Sequence, residues 1–200
     1  MNEARFKNVI SSIDTINSED PNVEIVNGKE VPKELLYSER MTAMIHEFHP
    51  NPSPFLLIAG RGQHIKRWVL PREEFPMDRK GYLTWRTQLK KFHGDLVGSI
   101  MEENGYGPED IQNVDDLINK RRLKTDTEAQ VLEDVVCLVF LKHYFEEFMR
   151  KHDDDKLIGI VRKTWNKMSE KGHQAALELQ LSDKATYILN RALHENTGEK

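Results

Sequence analysis

Residues Asp126–Arg150 read DTEAQVLEDVVCLVFLKHYFEEFMR. Wound at helical periodicity, this stretch is apolar on nearly every side between Val131 and Phe145. That pattern predicts a helix buried all round, at the centre of the molecule. Glu133 and Asp134 sit inside the apolar run. A carboxylate in such a place is costly unless it is paired. The helical neighbours of Asp134 are Val131, Cys137, Leu138 and Leu141, so the acid needs a cation, a hydrogen-bond donor or a metal from another element.

Working outward, the remaining patterns are also helical. Phe6, Val9, Ile10, Ile13 and Ile16 make one stripe over Arg5–Ile16. A second helix is expected over Pro32–Phe48 and a third from Ser53 or Pro54 to Trp68. A long one should span Tyr82–Asn104, with Gly105 suited to its C-terminal end. A shorter helix over Pro108–Lys120 precedes the basic elbow Arg121-Arg122-Leu123-Lys124. Asp153–Asp155 complement the dipole of a following helix, and two short helices, about Lys171–Leu179 and Asp183–Glu195, finish the chain. The exception is Asn27-Gly28, set between short β-prone runs, which predicts at most a small N-terminal hairpin. The fold class read from these patterns is all-α: a compact multi-helix bundle forming a single domain over residues 1–200.

Composition narrows the function classes. The chain has 200 residues, 38% hydrophobic and 31% charged, enough to bury a core without staples. Its net charge of −4 implies no general attraction to nucleic acid or to a membrane. Affinity for phosphate must therefore come from local clusters. No apolar run approaches the roughly 18 residues that a membrane span needs. The one cysteine, Cys137, permits no internal disulfide, and a cytoplasmic location is the simple expectation.

One local cluster stands out. Arg61–His93, RGQHIKRWVLPREEFPMDRKGYLTWRTQLKKFH, holds two histidines, two tryptophans and many cations, divided by Pro71 and Pro76. His64 and His93 are placed on inward helix faces. Glu39 lies at the edge of the second helix's buried side. Glu39, His64, His93 and Asp134 are thus the candidate catalytic residues and metal ligands, delivered from four helices. Mixed His and carboxylate ligands suit a divalent ion such as Mn, Fe, Zn or Co. Such an ion could acidify water and orient a phosphoester. Arg61, Lys66, Arg67, Arg86 and Lys90 are the expected anion contacts, and Trp68 a surface on which a base could stack. The expected partner is a small anionic ligand, phosphate-containing. Two blander readings compete: core histidines with ordinary hydrogen bonds, and an Asp134 paired with Arg121 or Arg86.

The segments ELLYSERM, QHIKRW, PMDRKGYLTWRTQLKKFH, TDTEAQVLEDVVCLVFLKHYF and KTWNKMSEKGH resemble the family called domain of unknown function 4202, over nearly the whole chain. A second, distant resemblance is one of order, to the HD-domain phosphohydrolases, which are helical and metal-dependent. Glu39 stands near the first-ligand place, Gln63-His64 where a His-Asp pair would be, and His93 and Asp134 near the later histidine and aspartate. The doublet itself is absent, and Lys120 falls where another histidine is expected. This resemblance implies an HD-like core over 32–150, with the helices of 151–200 packed on it. It also implies hydrolysis of a nucleotide or other small phosphoester, or, with the doublet missing, a non-catalytic nucleotide- or anion-binding module.

Overall fold

The computed structural model describes residues 3–123 and 125–194. Among the described residues it contains ten α-helices and one two-stranded antiparallel ribbon, so the all-α class holds, with the small hairpin near the N-terminus. The chain divides into two compact units, Met1–Ala129 and Gln130–Lys200. The division falls in the first turn of the apolar helix.

The first unit opens with α1 (Glu3–Asn17), which buries Val9, Ile13 and Asn17. Strands β1 (Val23–Val26) and β2 (Lys29–Pro32) follow, with Val26 opposite Lys29. Asn27 and Gly28 both have positive φ, 51° and 76°, the backbone that a two-residue hairpin turn needs. Helix α2 (Lys33–Phe48) starts directly after Pro32, which has no side-chain cap to offer. Asp20 takes that role from 14 residues away. Its Oδ2 accepts from the Glu34 backbone N–H at 3.0 Å, and its Oδ1 holds Asn22. An acid at this end also complements the helix dipole.

Helix α3 (Pro54–Gly62) is capped by the Ser53 hydroxyl and has Pro54 in its first turn. It ends six residues before the predicted Trp68. Lys66 adopts the left-handed conformation at φ 52°, which no helix can continue through. Short 3-10 turns at Arg67–Val69 and Arg72–Glu74 carry the chain onward. Gly62 is needed for close packing: a Cβ there would overlap the Val97 side chain.

Helix α4 (Arg79–Glu103) is capped by Asp78 and closed by Gly105 at φ 77°. Its buried row is Trp85, Leu89, His93, Val97 and Ile100. His93 lies mid-row, on the inward face expected for it, and Tyr82 at the helix start is exposed. Helix α5 (Pro108–Asn119) packs on α4 and on α3, while α1 and α2 also lean on α3. Arg121 and Arg122 of the basic elbow pair with Asp115 and Asp116 at the end of α5, so these cations hold a turn. Lys124 lies outside the described residues.

The predicted long helix over Asp126–Arg150 is α6 (Thr127–Val139), a π-helical turn (Phe140–Tyr144) and α7 (Phe145–Met149). In the second unit, α8 (Asp154–Trp165) and α10 (Asp183–His194) pack together, and α9 (Glu170–Leu177) lies between them in sequence. Asp134, 1% exposed, is tied to the start of α9. Its carboxylate accepts from the Ser169 N–H at 2.7 Å, from the Ser169 hydroxyl at 2.6 Å and from Gln130 Nε2 at 3.1 Å. Gly172 leaves room for it, since a Cβ there would lie 2.6 Å from Asp134 Oδ1. The buried acid is thus met by donors of its own unit rather than by Arg121 or Arg86. Hydrogen bonds to a buried charge contribute about 1.5–3 kcal/mol each. Asp134→Ala is therefore expected to lower unfolding stability by about 3 kcal/mol in urea titrations, with Ser169→Ala losing roughly half as much.

Candidate functional site

A buried set of titratable side chains gathers in the first unit from α2, the turn after α3, and α4. Glu34, Tyr37, Ser38 and Met41 share one row of α2, and all four are buried. Asp20, by fixing the first turn, fixes Glu34. Asn17 Oδ1 accepts from the Lys66 backbone N–H at 3.1 Å and holds the left-handed turn. The reversal returns Arg67 to the side of His64. From α4 come Trp85, Arg86 and His93.

The His64 ring stacks on Tyr37, with centroids 4.0 Å apart and planes 12° from parallel. Its Nδ1 lies 3.3 Å from Glu34 Oε2. Arg67 Nη1 lies 2.8 Å from His64 Nε2 and 3.4 Å from Nδ1. A guanidinium only donates, so Nε2 must present its lone pair and Nδ1 must carry the proton, which then faces Glu34. The Arg67 guanidinium also sits 5.1 Å from the Trp85 ring centre, and Trp85 is itself fixed by donation to the Leu70 carbonyl at 2.8 Å. The His93 ring lies 6.1 Å from that of His64. His93 Nδ1 donates to the Ile65 carbonyl at 2.8 Å, while its buried Nε2 has no protein partner.

Burial and charge set the protonation states. Burial pushes the Glu34 carboxyl above its usual range, against the pull of Arg67, Lys33 and His93. Burial holds His64 well below the usual imidazole range, and Arg67, Arg86, Lys120 and Lys33 push it the same way. His93 is lowered to about 3, by burial first and then by His64, with the Ile65 carbonyl opposing. Both rings are neutral near pH 7, in a field of four cations.

The other predicted residues lie elsewhere or do other work. Glu39 is exposed; the inward carboxylate of α2 is Glu34, which the sequence reading missed. Its row with Tyr37, Ser38 and Met41 was the available signal. Arg61 grips Asp14 through two bonds, at 2.6 and 2.8 Å, and reaches Thr42, so it ties α3 to α1. Lys66, Trp68 and Lys90 are half-buried. Arg86 is exposed and rests on Tyr82, 3.3 Å from its hydroxyl. Asp134 belongs to the second unit, where Ser169 and Gln130 occupy it.

Among the described residues no three His, Cys, Asp or Glu side chains are set to hold a metal ion. Within the first unit, Glu39, His64 and His93 do not form such a set. The groups at the cluster do not fit a resident divalent ion either, because a guanidinium covers the free nitrogen of His64.

Residues 7–189 match the family described as Domain of unknown function (DUF4202). The chain belongs to this family. The span that the family match covers includes Glu34, His64, Arg67, His93 and Asp134, hence the cluster and the α9 cap alike. No curated protein and no solved structure matches the chain. No helix among the described residues is long and apolar enough to cross a membrane.

The neutral histidines make stability depend on pH. In the unfolded chain both imidazoles take up protons as pH falls through 6.5; folded, His93 does so only near 3. Their contribution is therefore complete above 6.5 and is lost as pH falls below it. Each neutral ring removes up to about 1.4 kcal/mol per pH unit in that window. Urea unfolding followed from pH 7.5 to pH 5 is expected to show this decline, and His93→Phe to flatten it.

Proposed function

We propose that the first unit binds a small phosphate-containing anion on the cations around His64, with Arg67 as the principal contact. The observation that carries this reading is the state of Arg67. Four arginines of this unit are held by carboxylates, Arg61 by Asp14, Arg40 by Glu24, Arg121 and Arg122 by the acids of α5, while Arg5, Arg72 and Arg86 rest on carbonyl or hydroxyl oxygens. Arg67 has no carboxylate partner among the described residues and rests on a neutral imidazole and an indole face. A guanidinium so placed keeps its charge available and its planar fork oriented for two phosphate oxygens. Lys33, Arg86 and Lys120 add to the positive field at the same point.

A second reading, hydrolysis of the bound phosphoester, is favoured by the Glu34–His64 pair. When the anion draws Arg67 away, His64 Nε2 becomes a free base oriented by the acid behind it. Water then attacks phosphorus and gives its proton to Nε2. The P–O ester bond breaks, and the leaving oxygen takes a proton from solvent.

Calorimetric titration with methyl phosphate at low salt tests the binding. Arg67→Gln is expected to weaken it 10- to 100-fold, since a charged hydrogen bond is worth about 1.5–3 kcal/mol. Equal affinity in both proteins would place the anion elsewhere. For the hydrolytic reading, p-nitrophenyl phosphate turnover should fall at least about 100-fold in Glu34→Gln, with methyl phosphate binding kept. No turnover by the unaltered protein leaves the non-catalytic module.

A further inference from the structure

His93 has a buried hydrogen-bonding atom that the anion alone does not use. The ring is 3% exposed. Its Nδ1 must carry the proton, because the Ile65 carbonyl 2.8 Å away can only accept. The neutral ring therefore presents at Nε2 a lone pair, which accepts and cannot donate. That atom is buried and has no donor from the protein. An acceptor left so is destabilising. It lies on the ring beside His64, within the field of Arg67 and Glu34. Arginine and lysine can satisfy phosphate oxygens, but a phosphate dianion offers little to a second acceptor. The ligand has to bring the donor.

We propose that the anion bound by Arg67 is a phosphate monoester whose alcohol part carries a further hydroxyl group, and that this hydroxyl donates to His93 Nε2. The inference rests on the anion reading above. Arg67 acts electrostatically on both His64 and His93, so a phosphate held on its guanidinium stands near both rings. A sugar phosphate and a nucleotide share this chemistry, since both place ribose-type hydroxyls a few bonds from phosphorus. The site selects against phosphate esters of simple alcohols by leaving His93 unsatisfied.

The test uses the full chain and three probes: methyl phosphate, ribose 5-phosphate and adenosine 5′-monophosphate. Calorimetry on the unaltered protein is expected to show at least tenfold tighter binding of a hydroxylated ester than of methyl phosphate. If only ribose 5-phosphate gains, the source is a sugar phosphate; if the nucleotide gains as much or more, it is a nucleotide. Two variants locate the effect. His93→Asn keeps a donor for the Ile65 carbonyl but has no acceptor at the Nε2 position, and should bind all three probes like methyl phosphate. His93→Gln places an acceptor near that position and should keep the preference. Equal binding of the three probes by the unaltered protein overturns the proposal, as does a preference that survives His93→Asn. Where His93→Asn does not fold, the comparison of probes on the unaltered protein decides alone. Failure of the anion reading looks different: methyl phosphate then fails to bind, or binds Arg67→Gln equally well.

Discussion

The candidate site depends on one backbone reversal. Lys66 is held in the left-handed region, which strains a non-glycine residue by about 1–3 kcal/mol. The Asn17 side chain, fully buried at the end of α1, captures the Lys66 N–H and keeps the turn in place. Had α3 continued to Trp68, Arg67 would have stood about 100° further round the helix from Lys66, in regular succession. The turn instead returns its guanidinium to the His64 ring. It also leaves the Ile65 carbonyl outside any helical ladder, where His93 can reach it. The reversal thus sets the positions of three of the cluster's members.

Around that turn, opposing electrostatic effects are balanced at close range. A cationic imidazole would be repelled by Arg67, and an ionised Glu34 would pay for its burial. The arrangement that satisfies both has a neutral ring, proton toward the acid and lone pair toward the guanidinium. Tyr37 stacked on one face of His64 limits ring rotation and so helps to keep this order. Arg67 is the least constrained participant, since an indole face and an imidazole nitrogen hold it more weakly than a carboxylate would. The anion proposed above would have only to compete with those two contacts.

Much of this was legible in the sequence, for reasons that can be named. Asn27-Gly28 gave the hairpin because few residue pairs accept two positive φ angles in succession. Gly105 marked the end of α4 on the same ground. His93 could be placed inward from its row with Leu89 and Val97. The end of α3 was not legible, because the restraint on Lys66 comes from Asn17, 49 residues away. Glu34 was passed over because an acid in a first helical turn has an ordinary explanation in the dipole, and its burial arises from packing. The π-helical turn at Phe140–Tyr144 left no mark that apolar periodicity could show.

The two buried acids show why burial alone does not identify a site. Asp134 and Glu34 are both carboxylates on inward helix faces. Asp134 is met by three donors, and Gly172 makes room for it. Its function is complete within the fold: it joins α6 to the first turn of α9. Glu34 meets one imidazole edge at 3.3 Å, and its proton affinity is raised. An acid with its hydrogen bonds filled has no capacity left for chemistry. An acid held against a neutral base, with a guanidinium that has no carboxylate partner beyond, would be able to change partners if a third charge arrived. The difference in satisfaction, and not the shared burial, is what directs attention to Glu34, His64 and Arg67.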